Sequence, residues 1–130
     1  MKSEFKILEI HDDERGLLFE VLRDDEIKEE MKQVYFSISK HNAIRGNHYH
    51  KRKIEWFSVV KGKGKMIFED NKSKKREEII LDGENPSIIK VNPHISHALQ
   101  NITDEDMYLI VIANEVFNPN DADTFFKELI

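Results

Sequence analysis

The chain has 130 residues and a mass of 15.4 kDa, the size of one domain, with 39% hydrophobic and 35% charged residues. Its 25 acidic and 20 basic residues leave a net charge of -5, which argues against nucleic acid or an anionic membrane as a partner. The absence of cysteine excludes a disulfide scaffold, a thiolate metal site and a cysteine nucleophile. Met1-Lys2-Ser3-Glu4-Phe5 lacks the apolar stretch of a signal peptide, and no apolar run is long enough to span a bilayer. The cytoplasm is the expected compartment.

Short β-prone runs dominate the chain. Phe5 to Ile10 alternates apolar with polar, and Gly16 to Leu22 and Gln33 to Ser39 follow as further strands. Ile54 to Val60 is strongly β-prone, and Lys61-Gly62-Lys63-Gly64 reads as a turn before a strand over Lys65 to Glu69. Asp70 to Arg76 has the composition of a hairpin loop, so its basic residues read as a solvated tip. Ile79 to Leu81, Ser87 to Asn92, Ala98 to Ile102 and Met107 to Ala113 complete nine or ten strands, an all-β sandwich or barrel. Asp24 to Lys32 is too polar for more than a surface turn or short helix. Asp121 to Ile130 has acidic residues early, Lys127 late, and Phe125, Phe126 and Leu129 at helical spacing, which predicts a C-terminal helix packed on the sheet. With no repeat and no linker, residues 1–130 read as one domain.

Four of the six histidines fall in two clusters. His48 and His50 flank Tyr49, and residues two apart on a strand share a face, so both imidazoles can reach one point. Glu55 follows after the charged segment Lys51-Arg52-Lys53, and His97 comes about forty residues later, beyond Pro93 and His94. Three imidazoles and one carboxylate suit zinc first, with nickel, manganese, cobalt or iron(II) also compatible. His11 and His41 stand outside this frame as surface residues, and His94 reads as a loop neighbour that competes for the ligand role.

With these residues in place the chain resembles a cupin, a small double-stranded β-helix or jelly roll. His48, His50, Glu55 and Gly62 match the first cupin motif, with Gly46 displaced toward the histidines. Pro93, His97 and Asn101 match the second, which here is one residue short and lacks its glycine. Asp13-Glu14-Arg15-Gly16-Leu17-Leu18-Phe19-Glu20 and Ile44-Arg45-Gly46-Asn47-His48 are similar to stretches of dTDP-4-keto-6-deoxyhexose 3,5-epimerases and sugar 3,4-ketoisomerases. Nearest is the C-terminal cupin domain of the bifunctional capsular-polysaccharide proteins of UDP-N-acetyl-L-fucosamine synthesis. That likeness rests on Arg45 to His50, Glu55-Trp56-Phe57, His97 to Asn101, Asp104 to Met107, and Ala113 to Pro119 followed by Asp123-Thr124. An acidic residue at the place of Glu55 goes with the capsular, metal-containing branch of the resemblance. There the cupin follows a reductase domain that these 130 residues do not include, so a separate reductase or action on a different sugar is expected.

The resemblance implies proton abstraction beside the ketone of a nucleotide-linked 4-keto-6-deoxy sugar, giving epimerisation or ketoisomerisation. His48 is the base where no metal occupies it. If a metal is bound by His48, His50, Glu55 and His97, the ion is a Lewis acid or a structural clamp. Among Tyr35, Tyr49 and Tyr108, strand parity turns Tyr49 away, and Tyr108 is the preferred acid. Arg45 and Lys53 are the candidates for the diphosphate, with an internal salt bridge the competing role for Arg45. Either Trp56 or Phe57 is expected to stack on base or sugar while the other fills the core. A homodimer is expected, with Met1 to Ile10 as an exchanged edge strand. The alternative is a non-catalytic metal- or sugar-binding cupin that accompanies another enzyme. Iron-dependent dioxygenase chemistry would use the same ligands, but the keto-sugar-like segments do not support it.

Overall fold

A computed structural model describes residues 4–130 of the chain. The strands are β1 (Glu4–Ile7), β2 (His11–Asp13), β3 (Gly16–Leu18), β4 (Gln33–Ser39), β5 (Ile44–Tyr49) and β6 (Glu55–Lys61), then β7 (Lys63–Asp70), β8 (Arg76–Asp82), β9 (Ser87–Val91), β10 (Ile95–Asn101), β11 (Met107–Ala113) and β12 (Phe125–Phe126). Two five-stranded sheets form, in the orders β1-β9-β6-β11-β4 and β12-β5-β10-β7-β8, with every pairing antiparallel. The hairpin β2-β3 stands apart as a third, two-stranded sheet. From β4 to β12 the chain passes back and forth between the two large sheets, except at the β7-β8 hairpin. This is the expected jelly roll.

Each crossing demands a sharp corner, and Gly62 between β6 and β7 supplies one with φ 86°. A Cβ there would sit 3.3 Å from the Met107 Cα, so only glycine fits without strain. The core between the sheets is Phe57, Val59, Met66, Phe68, Leu81, Ile89, Val91, Leu99, Met107, Leu109 and Val111, contributed alternately by facing strands. A second cluster on the outside of the first sheet joins Leu8, Trp56, Ile88 and Ile112 to Phe19, Val21, Leu22, Ile27 and Met31. Trp56 therefore packs under the segment after β3, and Phe57 faces the interior. The polar run after Asp24 yields a single 3-10 turn over Asp24–Glu26.

The predicted C-terminal helix does not form. Asp123 takes φ 51°, which breaks a right-handed helix, and Phe125 and Phe126 extend as β12 along β5. An isolated ten-residue helix is marginal, whereas the exposed edge of β5 offers ready backbone partners. Phe125 stacks on Tyr49 with ring centroids 5.4 Å apart, under the Lys51 ammonium, so its ring is not core. Main-chain Lys127 N–H donates to Asn47 O, and Leu129 and Ile130 donate to Asn47 Oδ1. Of the segment expected to be exchanged, Met1 to Ser3 lie outside the described residues, and β1 pairs with β9 of its own chain.

Candidate metal centre

His97 on β10 pairs with His48 on β5, while Glu55 opens β6 on the facing sheet with its partners Ala113 and Val91. His50 follows the last residue of β5. The fold thus carries four side chains from two sheets to one end of the interior, where one ligand atom from each lies within 4.8 Å of the others. His50, Glu55 and His97 are at most 4% exposed, and His48 is half-buried at the opening. The Phe57 ring, 5.5 Å from that of His97, floors the cluster.

The hydrogen bonds define what each imidazole presents. Carbonyl oxygens only accept, so the contacts of His50 Nδ1 with Asp123 O (2.7 Å) and of His97 Nδ1 with Ile95 O (3.1 Å) place a proton on each Nδ1. Both Nε2 atoms then turn toward Glu55 Oε1, at 2.8 Å for His50 and 3.7 Å for His97. Among the described residues His97 Nε2 is buried with no hydrogen-bond partner. Burial pushes His50 down, but the Glu55 carboxylate outweighs it and the net shift is upward. Burial alone would raise Glu55, yet the hydrogen bond from His50 and the nearby imidazoles bring it below its ordinary range. Burial drives His97 down, and burial with the neighbouring imidazoles takes His48 down to about 4, so His48 is neutral at pH 7.

Arg45, exposed, takes an orientation that strand parity does not reveal, and its charge acts on the Tyr35 phenol. The register with β10 slips between His97↔His48 and Ala98↔Gly46, so one residue is extra on β5. Gly46 and Asn47 both take positive φ at this bulge, and Arg45 consequently lies opposite the core residue Leu99. Its Nε donates to Ser39 Oγ at 2.7 Å and its Nη2 to Ile38 O at 3.0 Å, tying β5 to β4 across the two sheets. Lys53 is buried, with Nζ 5.6 Å from the centre of the Phe117 ring and its charge acting on His48, His50 and Glu55.

Tyr108 does not join the cluster. It alternates with the core residues Met107 and Leu109, so it faces outward, against Phe36 and the Lys61 ammonium. Tyr35 is the tyrosine that turns inward: it pairs with Val111, stands 42% exposed at the rim, and its hydroxyl donates to Glu55 Oε2 over a long 3.5 Å. Burial and the Glu55 charge push its phenol well above the ordinary range. The sequence signal was present but inverted. On β4 the polar Tyr35, Ser37 and Ser39 face in, while Val34, Phe36 and Ile38 are 64%, 55% and 48% exposed. His94 stays outside the site, exposed, at the place where the second cupin motif has glycine, and it adopts φ 66° to make that turn. Asp123 is the other residue that sequence spacing could not single out; its carbonyl holds His50.

A family model described as the polysaccharide biosynthesis C-terminal domain matches residues 11–125. The chain belongs to that family. It is 32% identical over 116 residues to the UDP-2-acetamido-2,6-beta-L-arabino-hexul-4-ose reductase of Pseudomonas aeruginosa, covering 89% of this chain and 30% of that protein. It superposes on the capsular polysaccharide assembling protein CapF of Staphylococcus aureus with a TM-score of 0.74 and 33% identity, covering 94% of this chain and 34% of CapF. The family member described here thus spans about a third of the length of either relative. The dTDP-6-deoxy-D-glucose-3,5-epimerase RmlC of Legionella pneumophila, in complex with dTDP-4-keto-L-rhamnose, gives a TM-score of 0.82 at 20% identity. That match covers 94% of this chain and 70% of RmlC and establishes a common fold. No described helix is long and apolar enough to cross a membrane.

Proposed function

We propose that this chain epimerises or isomerises a nucleotide-linked 4-keto-6-deoxy sugar in surface-polysaccharide synthesis, and that it holds a divalent metal through His48, His50, Glu55 and His97. One observation carries the metal. A proton between His50 Nε2 and Glu55 Oε1 satisfies that pair but leaves His97 Nε2 buried without a partner, whereas a single cation satisfies all three. Ligand atoms on a tetrahedral zinc with bonds of about 2.0–2.1 Å stand roughly 3.3 Å apart, so the observed spacing needs only small side-chain adjustments. A nitrogen and oxygen donor set without thiolate favours zinc, with nickel, manganese, cobalt and iron as the other candidates.

A bound divalent ion supplies Lewis acidity toward a keto oxygen. The rest falls to the chain itself. His48, the most open of the four and neutral at pH 7, accepts the proton from the carbon beside the ketone when its lone pair is not engaged as a ligand. Tyr35 retains its proton and stands at the rim as the acid that returns one. Arg45 and Lys53 provide the positive charge that a diphosphate requires in an otherwise acidic protein. The test is solvent deuterium exchange at C3 or C5 of UDP- and dTDP-4-keto-6-deoxyhexoses, followed by NMR on metal-free and on metal-loaded protein. Exchange supports the enzyme reading. Saturable binding of both nucleotide sugars without exchange replaces it with a non-catalytic binding cupin.

The chain also works as a homodimer in this reading, in the cytoplasm. Val34, Phe36 and Ile38 form an exposed apolar stripe on the outer face of the edge strand β4, beside Tyr108 and Ile110. Light scattering should return twice 15.4 kDa, and Phe36→Glu should return the monomer.

A further inference from the structure

The connection from His50 to Glu55 is fastened by a residue about seventy positions away. Lys51 N–H donates to Asp123 Oδ1 at 3.0 Å, and the N–H groups of Arg52 and Lys53 donate to Oδ2 at 2.9 and 2.8 Å. The carbonyl of the same residue accepts the Nδ1 proton of His50 at 2.7 Å. Asp123 is 7% exposed, and its φ of 51° is what lets carboxylate and carbonyl address the same turn. Around it the tail is zipped to the connection: Asn114 Oδ1 accepts from Ile54 N–H, and Arg52 pairs with Glu115 and Asp121.

We propose that Asp123 is the positioning residue of the metal centre, fixing the Nδ1–H form of His50 and, through the Lys51–Lys53 turn, the distance from His50 Nε2 to Glu55. The proposal rests on the metal reading above. A carbonyl acceptor on the far nitrogen of a ligand histidine orients the ring and raises its basicity, and loss of such a partner costs about 10- to 100-fold in metal affinity. The separation it controls is the 2.8 Å between two donors of the set. Loosening the turn lets His50 and Glu55 part and lets the imidazole rotate. The C-terminal tail, in which the sequence pattern suggested a helix, is thus a strap whose buried point reaches a ligand.

The test is zinc affinity, measured by competition with a colorimetric chelator, for the full chain and two variants. Asp123→Asn keeps the left-handed backbone accessible but turns an amide group toward N–H donors. Lys127→Ala removes the tail's contact with Glu69, four residues beyond Asp123, and leaves the turn intact. Asp123→Asn should bind zinc about 10- to 100-fold more weakly than wild type, and Lys127→Ala should match wild type. Equal affinity for Asp123→Asn and wild type overturns the positioning role. A wild type that takes up none of zinc, nickel, manganese, cobalt or iron(II) overturns the metal reading instead. Should Asp123→Asn fail to fold, nitrogen-15 NMR of metal-free wild type decides: a proton on His50 Nδ1 supports the role, and a ring protonated on Nε2 alone refutes it.

Discussion

Glu55→Gln isolates the charge of the centre while preserving its shape. The carboxylate is 4% exposed and lies 2.8 Å from His50, 3.7 Å from His97 and 3.5 Å from Tyr35. In the metal-free protein the amide can donate to His50 Nε2 once that nitrogen gives up its proton. One hydrogen bond then replaces another, and stability near pH 8 should change by no more than about 1 kcal/mol. In the proposed metal-bound form zinc binding should be affected far more, because an anionic ligand would be lost outright. Loss of a mere supporting partner costs about 10- to 100-fold, so loss of the ligand should cost at least about 100-fold. At a free zinc concentration about 100 times the wild-type Kd, binding stabilises wild type by about 2.7 kcal/mol, and a variant 100-fold weaker by about 0.4 kcal/mol. With an unfolding entropy of about 2.1 cal/mol/K per residue, these correspond to Tm increases of about 10 °C and about 1.5 °C. Differential scanning fluorimetry with and without zinc, alongside elemental analysis, reads both. A Glu55→Gln protein that keeps the full Tm increase and its metal would show that Glu55 is not a ligand and refute the reasoning.

Three further outcomes are expected. Tyr35→Phe should slow solvent exchange by about 10²-fold or more, the scale of a lost general acid, while Tyr108→Phe leaves it unchanged; the reverse order would restore Tyr108 as the acid. Gly46→Ala should destabilise by about 2–4 kcal/mol in urea unfolding, because its Cβ would meet the His97 carbonyl oxygen at 2.7 Å in a backbone with φ 94°. A change below about 0.5 kcal/mol would mean that the bulge can shift freely. Because His48 is held neutral when folded, the unfolded chain binds the extra proton between its ordinary pKa of 6.5 and about 4. Metal-free protein should therefore lose stability as pH falls through that interval, and His48→Asn should lessen the loss. Identical pH profiles for wild type and variant would refute the burial of His48.

Much of the centre was legible in the sequence because its geometry is local. A period of two puts His48 and His50 on one side, and Glu55 follows at a distance the short charged connection can span. His97 was reachable through the second motif, although the missing glycine obscured the turn that His94 makes at φ 66°. Most strands from β4 to β11 were likewise visible as short β-prone runs, whereas β12 was hidden behind a helical spacing. Tyr35 was harder to choose, because β4 reverses the usual rule and presents its apolar side to solvent. A parity count gives two faces; it does not say which face is inside.

The sequence alone determined most of the strand pattern, the four metal-type side chains and the absence of thiolate. Only the tertiary structure decided which tyrosine faces them, that Arg45 ties β5 to β4, and that the C-terminus is a strap. The reason is physical. Arg45 depends on a bulge whose extra residue is defined only by its partner strand, and the strap depends on an open edge of β5 that exists only after the sheets assemble. Helical spacing in Asp121 to Ile130 was genuine, but ten residues form too weak a helix to compete with hydrogen bonds already waiting on β5 and Asn47.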